Sequence, residues 1–194
     1  MRKAEIKRKT KETDIKLSLD LDRYFEGPID SGSPFLDHML DLLRKHSGMG
    51  LSVECQGDPQ IDMHHSAEDI AICLGEALHE ALDGKEGIER YGFYYVTMDE
   101  ALARCCLDLS GRFSFVWNAA VPAASLGNLD MELIPHFFRS VAENGRMNLH
   151  LDLLRGTNSH HCVEALFKAF ARALSMAVSP SRRVGGVPST KGML

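Results

Sequence analysis

His64-His65-Ser66-Ala67-Glu68 returns as His160-His161-Cys162-Val163-Glu164. Each copy follows a lone histidine at nearly the same distance, His38 before the first and His136 before the second. A single copy could arise by chance, and a lone histidine on an apolar face is more often structural than a ligand. Two copies with matched upstream histidines are not explained that way. They indicate that a half-protein was duplicated, and the duplication decides the fold.

Imidazole together with carboxylate suits divalent Mn, Fe, Co, Ni or Zn. A helix starting near His64 places Glu68 four residues on, and three after His65, which puts them on a shared face. His160, His161 and Glu164 have the same spacing. The candidate ligands are therefore His38, His64, His65, Glu68, His136, His160, His161 and Glu164. Three nitrogens and one oxygen per ion predict two divalent metals, with coordination positions left for substrate.

Outward from these motifs the two halves read alike. Ala4, Ile6 and Arg8 alternate with charged residues, and Ile15, Leu17, Leu19 and Leu21 with polar ones, which is the period of strands with one wet face. A Gly/Pro/Ser loop follows, Gly27 to Pro34. Phe35 to Lys45 reads as a helix, Leu51 to Cys55 as a strand and Ser66 to Leu82 as a helix. In the second half, Tyr91 to Met98 and Leu102 to Leu109 form a hairpin around Asp99-Glu100, and Phe113 to Asn118 adds a strand. Ile134 to Asn144 is a helix stopped by Gly145, Met147 to Leu153 a strand, and His161 to Val178 a helix. Both halves run strand, strand, helix, strand, helix. Residues 1–88 are the expected first repeat, 89–180 the second, and 181–194 a tail whose Gly/Pro/Ser-rich composition makes it mobile, all within one compact domain. Each half is short and marginal alone. The expected fold is therefore α+β, with the helices of both halves packed together between two outer sheets.

Composition narrows the function. A net charge of −5 gives no sign of nucleic-acid binding. No stretch approaches the roughly 18 uninterrupted apolar residues of a membrane span, and Met1 to Lys11 lacks the apolar region of a secretory signal. Cys55, Cys73, Cys105, Cys106 and Cys162 show no CxxC spacing and read as reduced thiols, mostly core filler, in a cytoplasmic protein.

Several motifs resemble the imidazoleglycerol-phosphate dehydratase family. They are Arg8-Lys9-Thr10-Lys11-Glu12-Thr13, Phe35-Leu36-Asp37-His38-Met39-Leu40, Asp62 to Asp69, Ser110-Gly111-Arg112, Asn158 to Ala169 and Ser189-Thr190-Lys191-Gly192. They cover essentially the whole chain in the family's order. Leu126 to Leu133 and Arg23 to Ser33 look less typical. The resemblance implies a duplicated α+β fold and a manganese-dependent hydro-lyase of histidine biosynthesis, which converts imidazole glycerol phosphate into imidazole acetol phosphate. It also implies a homo-oligomer of twenty-four chains with active sites between chains.

In that reaction the carbon proton to be lost is not activated by a carbonyl, and the hydroxyl to be lost stands beside the imidazole ring. The ring is the electron source, and two metals at its nitrogens would favour the imidazolate. The resemblance makes Glu12 the acid/base group; from its charged run alone, a solvated strand residue is the simpler reading. It also makes Arg90, Arg112, Lys168, Ser189, Thr190 and Lys191 the phosphate and substrate residues. Lys168 lies four residues after Glu164, on one helix face. His38 and His46 are further candidates for the substrate site. Arg182-Arg183 match no motif and read as surface or tail, and His79 and His150 read as structural. Two rival classes share the ligand types: a dinuclear metallohydrolase of a phosphoester, and a non-catalytic metal-binding protein. The second has no use for Arg90, Arg112 and the Ser189–Lys191 tail.

Overall fold

A computed structural model describes residues 1–58, 60–181, 185–192 and 194; Arg182 and Arg183 lie outside the described residues. Lys3–Lys9 (β1) and Asp14–Asp20 (β2) form an antiparallel hairpin, Lys3 opposite Asp20 and Lys9 opposite Asp14. Glu26–Asp30 (β3), helix Pro34–Ser47 (α1), Gly50–Gln56 (β4) and helix His64–Ala81 (α2) complete the first repeat. The second opens with Tyr91–Met98 (β5), Ala101–Asp108 (β6) and Ser114–Asn118 (β7). A short ribbon, Ser125–Leu126 (β8) and Leu129–Asp130 (β9), precedes helix Leu133–Asn144 (α3), Asn148–Arg155 (β10) and helix Ser159–Val178 (α4).

The two sheets have the same plan. One runs β1-β2-β4-β3 and the other β5-β6-β10-β7. In both, the first three strands are antiparallel and the last pair is parallel, β3 with β4 and β7 with β10. Each four-stranded sheet thus holds one more strand than strand, strand, helix, strand, helix provides. In the second half this is the Phe113–Asn118 strand. In the first it is β3, which composition assigned to a loop because Gly27 and Pro28 fall inside it. A proline cannot donate to a ladder, but β3 is an edge strand, where this is tolerated.

Alternation sets which face is inside. Ile15, Leu17 and Leu19 of β2 and Leu51 and Val53 of β4 are buried against the helices. Ala103, Cys105 and Leu107 of β6 with Leu149 and Leu151 of β10 do the same in the other sheet. Between the sheets, Phe137, Phe138, Phe167 and Phe170 are fully buried, and the Phe138 and Phe167 ring centroids are 4.7 Å apart. Each such side chain contributes roughly 1.5–3 kcal/mol of apolar burial. The helices pack across the duplication: α1 lies against α4, and α2 against α3.

Gly75 shows how close that contact is. A Cβ there would stand 2.7 Å from the Val141 carbonyl oxygen, 2.8 Å from Asn144 Cβ and 2.8 Å from the Gly145 nitrogen. A mid-helix glycine normally weakens a helix by about 1 kcal/mol relative to alanine. Here α2 can approach α3 only without a side chain. Gly75→Ala is therefore expected to destabilise the fold by about 1–3 kcal/mol, as overpacking does, despite its better helix propensity. Equilibrium denaturation checks this; equal or higher stability would contradict the packing argument.

Candidate metal and substrate site

The His pairs stand in the first turns of α2 and α4 because the backbone there is fixed. Asn158 caps α4, and its side chain accepts from the His160 and His161 N–H groups at 3.0 and 3.3 Å. Before α2, Asp62 Oδ1 accepts from the His64 N–H at 2.7 Å. The Asn158 cap, and the Asp62 carboxylate just ahead of α2, satisfy donors that a first turn leaves free.

Crossed helix packing then exchanges the lone histidines. His38 on α1 meets α4, and His136 on α3 meets α2. The His38 and His160 ring centroids are 5.6 Å apart, and so are those of His64 and His136. The sets suggested by chain order, His38 with His64 and His136 with His160, are thus recombined. Chain order could not reveal this, because it does not say which helices touch.

His38, His160 and Glu164 form the tighter cluster, with one ligand atom from each within 4.8 Å of the others. Glu164 Oε2 lies 3.2 Å from His160 Nε2 and 3.4 Å from His38 Nε2. Its other oxygen accepts from Lys168 Nζ at 2.5 Å. Burial alone would raise the Glu164 pKa; the Lys168 hydrogen bond and charge, with His38, outweigh it and hold the carboxylate ionised. Two imidazole nitrogens and one ionised oxygen facing one point fit a divalent ion of intermediate softness. The second cluster is more open. Glu68 Oε2 lies 3.7 Å from His64 Nε2, and the Glu68 side chain is 44% exposed against 8% for Glu164. At the position of Lys168 it has Ile72.

His65 and His161, the second members of the pairs, turn away from these clusters towards the strand hairpins of their own repeats. His65 Nε2 lies 3.7 Å from Glu12 Oε1, and its Nδ1 lies 3.0 Å from Asp58 Oδ2. His161 Nε2 lies 3.7 Å from Asp99 Oδ2, and its Nδ1 lies 2.8 Å from Glu100 Oε2. The hydrogen bonds to Asp58 and Glu100 raise the pKa of His65 and His161 respectively. Glu100 is held down at about 2, first by His161 and then by the Asn158 and Thr157 N–H groups.

Glu12 sits at the β1–β2 turn. Thr10 Oγ1 accepts from the Glu12 and Thr13 N–H groups, and Thr13 Oγ1 donates to Asp69 Oδ2 at 2.6 Å. Arg8 Nε donates to Asp69 Oδ1 at 2.9 Å. Buried Asp69, next in sequence to Glu68, therefore ties the Glu12 turn to α2.

Arg90, Arg112, Ser189, Thr190 and Lys191 line one cavity of about 630 Å³. Arg90 holds Asp108 through two nitrogens, at 2.7 and 3.1 Å, and donates to the Pro188 carbonyl at 2.8 Å. It does so at φ 68°, a left-handed conformation costly for a bulky residue and concentrated at functional sites. Gly87 N–H donates to the Gly186 carbonyl at 2.8 Å, a second point holding the tail. Lys168 does not line this cavity within the chain; it pairs with Glu164 and reaches Met98 Sδ at 3.5 Å. His46, half-buried at the end of α1, has its pKa lowered by burial and by the charges of Lys168 and Arg172. His79 is half-buried, while His150 is exposed on the outer face of β10 and has no core role. Asp58, Asp69, Asp99 and Glu100 are site neighbours that the sequence motifs do not single out, although the pattern places Asp99-Glu100 at the hairpin turn. Nothing in their local pattern separates them from solvated acidic residues.

Fold and site define a class: a duplicated α+β enzyme with a histidine–carboxylate cluster of metal-binding type and a separate cationic cavity. The imidazoleglycerol-phosphate dehydratase family model matches residues 31–174, and the chain belongs to that family. It is 51% identical over 195 residues to the imidazoleglycerol-phosphate dehydratase of Cereibacter sphaeroides, covering all of both chains. It is 52% identical over 194 residues to that of Bacillus licheniformis, again covering both fully. Among solved structures, the Staphylococcus aureus enzyme superposes with a TM-score of 0.84 at 41% identity, over 92% of this chain and 99% of that one. The Pyrococcus furiosus enzyme, in complex with (S)-C348, gives 0.83 at 33% identity, over 97% and 100%.

The His161–Glu100 pair makes a pH prediction for metal-free protein. A lowered acid pKa contributes stability that is complete above its ordinary 4.5 and lost as pH falls towards 2. A raised histidine pKa contributes stability that is complete below 6.5 and lost as pH rises through the raised value. The pair is therefore at full strength between these ordinary values. Glu100→Gln should lower Tm most in that window. Above it, the difference should shrink to what the Thr157 and Asn158 N–H bonds contribute. Thermal melts of both proteins across pH check this, and a Tm difference independent of pH would contradict it.

Proposed function

We infer that this chain is a hydro-lyase of histidine biosynthesis, converting imidazole glycerol phosphate into imidazole acetol phosphate. The observation that carries the reading is an end-to-end family match in which both His-His-x-x-Glu copies stand at helix starts and meet histidines from the opposite repeat. The elimination breaks the C–O bond beside the ring and the neighbouring C–H bond, releases water and leaves an enol that tautomerises to the ketone. Two divalent ions, Mn²⁺ by family, would supply Lewis acidity at the ring nitrogens.

The chain's own residues divide the remaining work. His38, His160 and Glu164 would hold one ion and His64, Glu68 and His136 the other. Glu12 takes the carbon proton: it is exposed at a turn that Asp69 fixes, beside His65. Arg90, Arg112, Ser189, Thr190 and Lys191 bind the phosphate, where fixed cations and hydroxyls suit an anion. Lys168, paired with Glu164, and His46, close enough to feel its charge, would face the substrate at the first cluster.

His65 and His161 support sites built between chains. Their Nε2 atoms point away from the clusters of their own chain and remain available to a neighbouring chain. Each ion would then receive its third nitrogen from a partner, in a large homo-oligomer of the twenty-four-chain kind. No helix among the described residues is long and apolar enough to cross a membrane.

Two measurements test this reading. His160→Ala is expected to abolish turnover with imidazole glycerol phosphate and Mn²⁺, and to reduce bound metal. Full activity with undiminished metal would remove the cluster from the mechanism. Deleting the chain from Ser189 onward should raise KM strongly while leaving fold and metal content intact. Lys191→Ala alone should weaken substrate binding by about 1.5–3 kcal/mol, the scale of a charge-assisted hydrogen bond. Unchanged kcat/KM in the truncated enzyme would leave the tail without a role.

A further inference from the structure

The second histidines of the two pairs share one contact that the duplication does not explain. His65 Nδ1 lies 3.1 and 3.0 Å from the two oxygens of Asp58, and His161 Nδ1 lies 2.8 Å from Glu100 Oε2. The two carboxylates come from different places. Asp58 stands in the loop between β4 and α2, six residues before the first pair, where the second repeat has Leu154. Glu100 belongs to the β5–β6 turn. The same imidazole atom therefore meets a carboxylate in both repeats by two unrelated routes.

An ionised carboxylate only accepts hydrogen bonds. In both contacts Nδ1–H must donate, which leaves the lone pair of a neutral ring on Nε2. Asp58 is mostly buried, its side chain only 13% exposed, and Glu100 is held by further hydrogen bonds. Glu100 Oε1 accepts from the Asn158 and Thr157 N–H groups at 2.7 and 3.0 Å, so one of its oxygens fixes the start of α4 while the other fixes the ring.

We propose that Asp58 and Glu100 are positioning residues that hold His65 and His161 as Nδ1–H tautomers with Nε2 presented to a divalent cation. The proposal rests on the metal reading given above and extends it to two residues outside the repeated motif. A carboxylate behind a ligating histidine fixes the ring and raises its basicity, and losing it typically lowers metal affinity 10–100-fold. A carboxamide in the same place can donate as well as accept, so it no longer selects the tautomer.

The test is a Mn²⁺ titration of the full chain, with free Mn²⁺ read by electron paramagnetic resonance. It compares wild type, Asp58→Asn, Glu100→Gln and, as the charge-preserving control, Asp58→Glu. Circular dichroism and sedimentation establish that each variant is folded and assembled like wild type. The expected result is 10–100-fold weaker Mn²⁺ binding in Asp58→Asn and in Glu100→Gln, with Asp58→Glu closer to wild type. Wild-type affinity in both carboxamide variants would overturn the proposal while leaving the metal reading intact. So would equal losses in Asp58→Asn and Asp58→Glu, which would mean that the side chain acts by shape rather than charge. A wild-type protein that binds no Mn²⁺ would overturn the metal reading itself, and the proposal with it.

Discussion

Contact between α1 and α4, and between α2 and α3, governs both stability and site. Each repeat presents a sheet with one apolar face and two helices, too little to bury a core alone. Packing across the duplication closes the core and, with the same displacement, carries His38 to Glu164 and His136 to His64. A change that loosens the helix contact therefore acts on the clusters as well as on the fold. Gly75 is the clearest case, since it sits where α2 meets the end of α3 with no room for a side chain.

The repeat was legible because it is written in residue types with strong preferences. Leu17 and Leu19, or Leu149 and Leu151, alternate in a way that only a half-buried strand needs. The eight candidate ligands stood out because the motif and its upstream histidine both occur twice. Three features were not. Strand β3 carries Gly27 and Pro28, whose loop character is overridden by parallel pairing to β4, a contact invisible to local pattern. The exchange of lone histidines depends on which helices touch, and periodicity describes one helix at a time. Asp58 and Glu100 reach their histidines through a loop and a turn, where side-chain direction follows no period. The proposed phosphate residues came from family motifs rather than from any pattern, since Arg90 and Lys191 are about a hundred residues apart and line one cavity only in the folded chain.

The two clusters are related but unequal. Glu164 is buried, shared between two imidazoles and an ammonium, whereas Glu68 is only half-buried and has Ile72 where its counterpart has Lys168. Lys168 neutralises part of the charge at Glu164 and occupies one oxygen, so that carboxylate has a single oxygen left for other partners. Glu68 keeps both. Duplication supplied equivalent backbones, and side-chain divergence then gave each cluster its own carboxylate surroundings.

Arg2 donates from its guanidinium to the Val178 carbonyl, so the start of β1 lies beside the end of α4. The link between repeats, from Leu82 to Arg90, joins the end of α2 to the start of β5 in the corresponding way. The molecule is in this respect a ring of two units with one covalent seam. Which unit comes first is set by where the seam lies, not by the packing. A circularly permuted chain, opened near Gly84 and joined across the Arg2–Val178 contact, would break none of the helix contacts described above, on which the meeting of the crossed histidines depends.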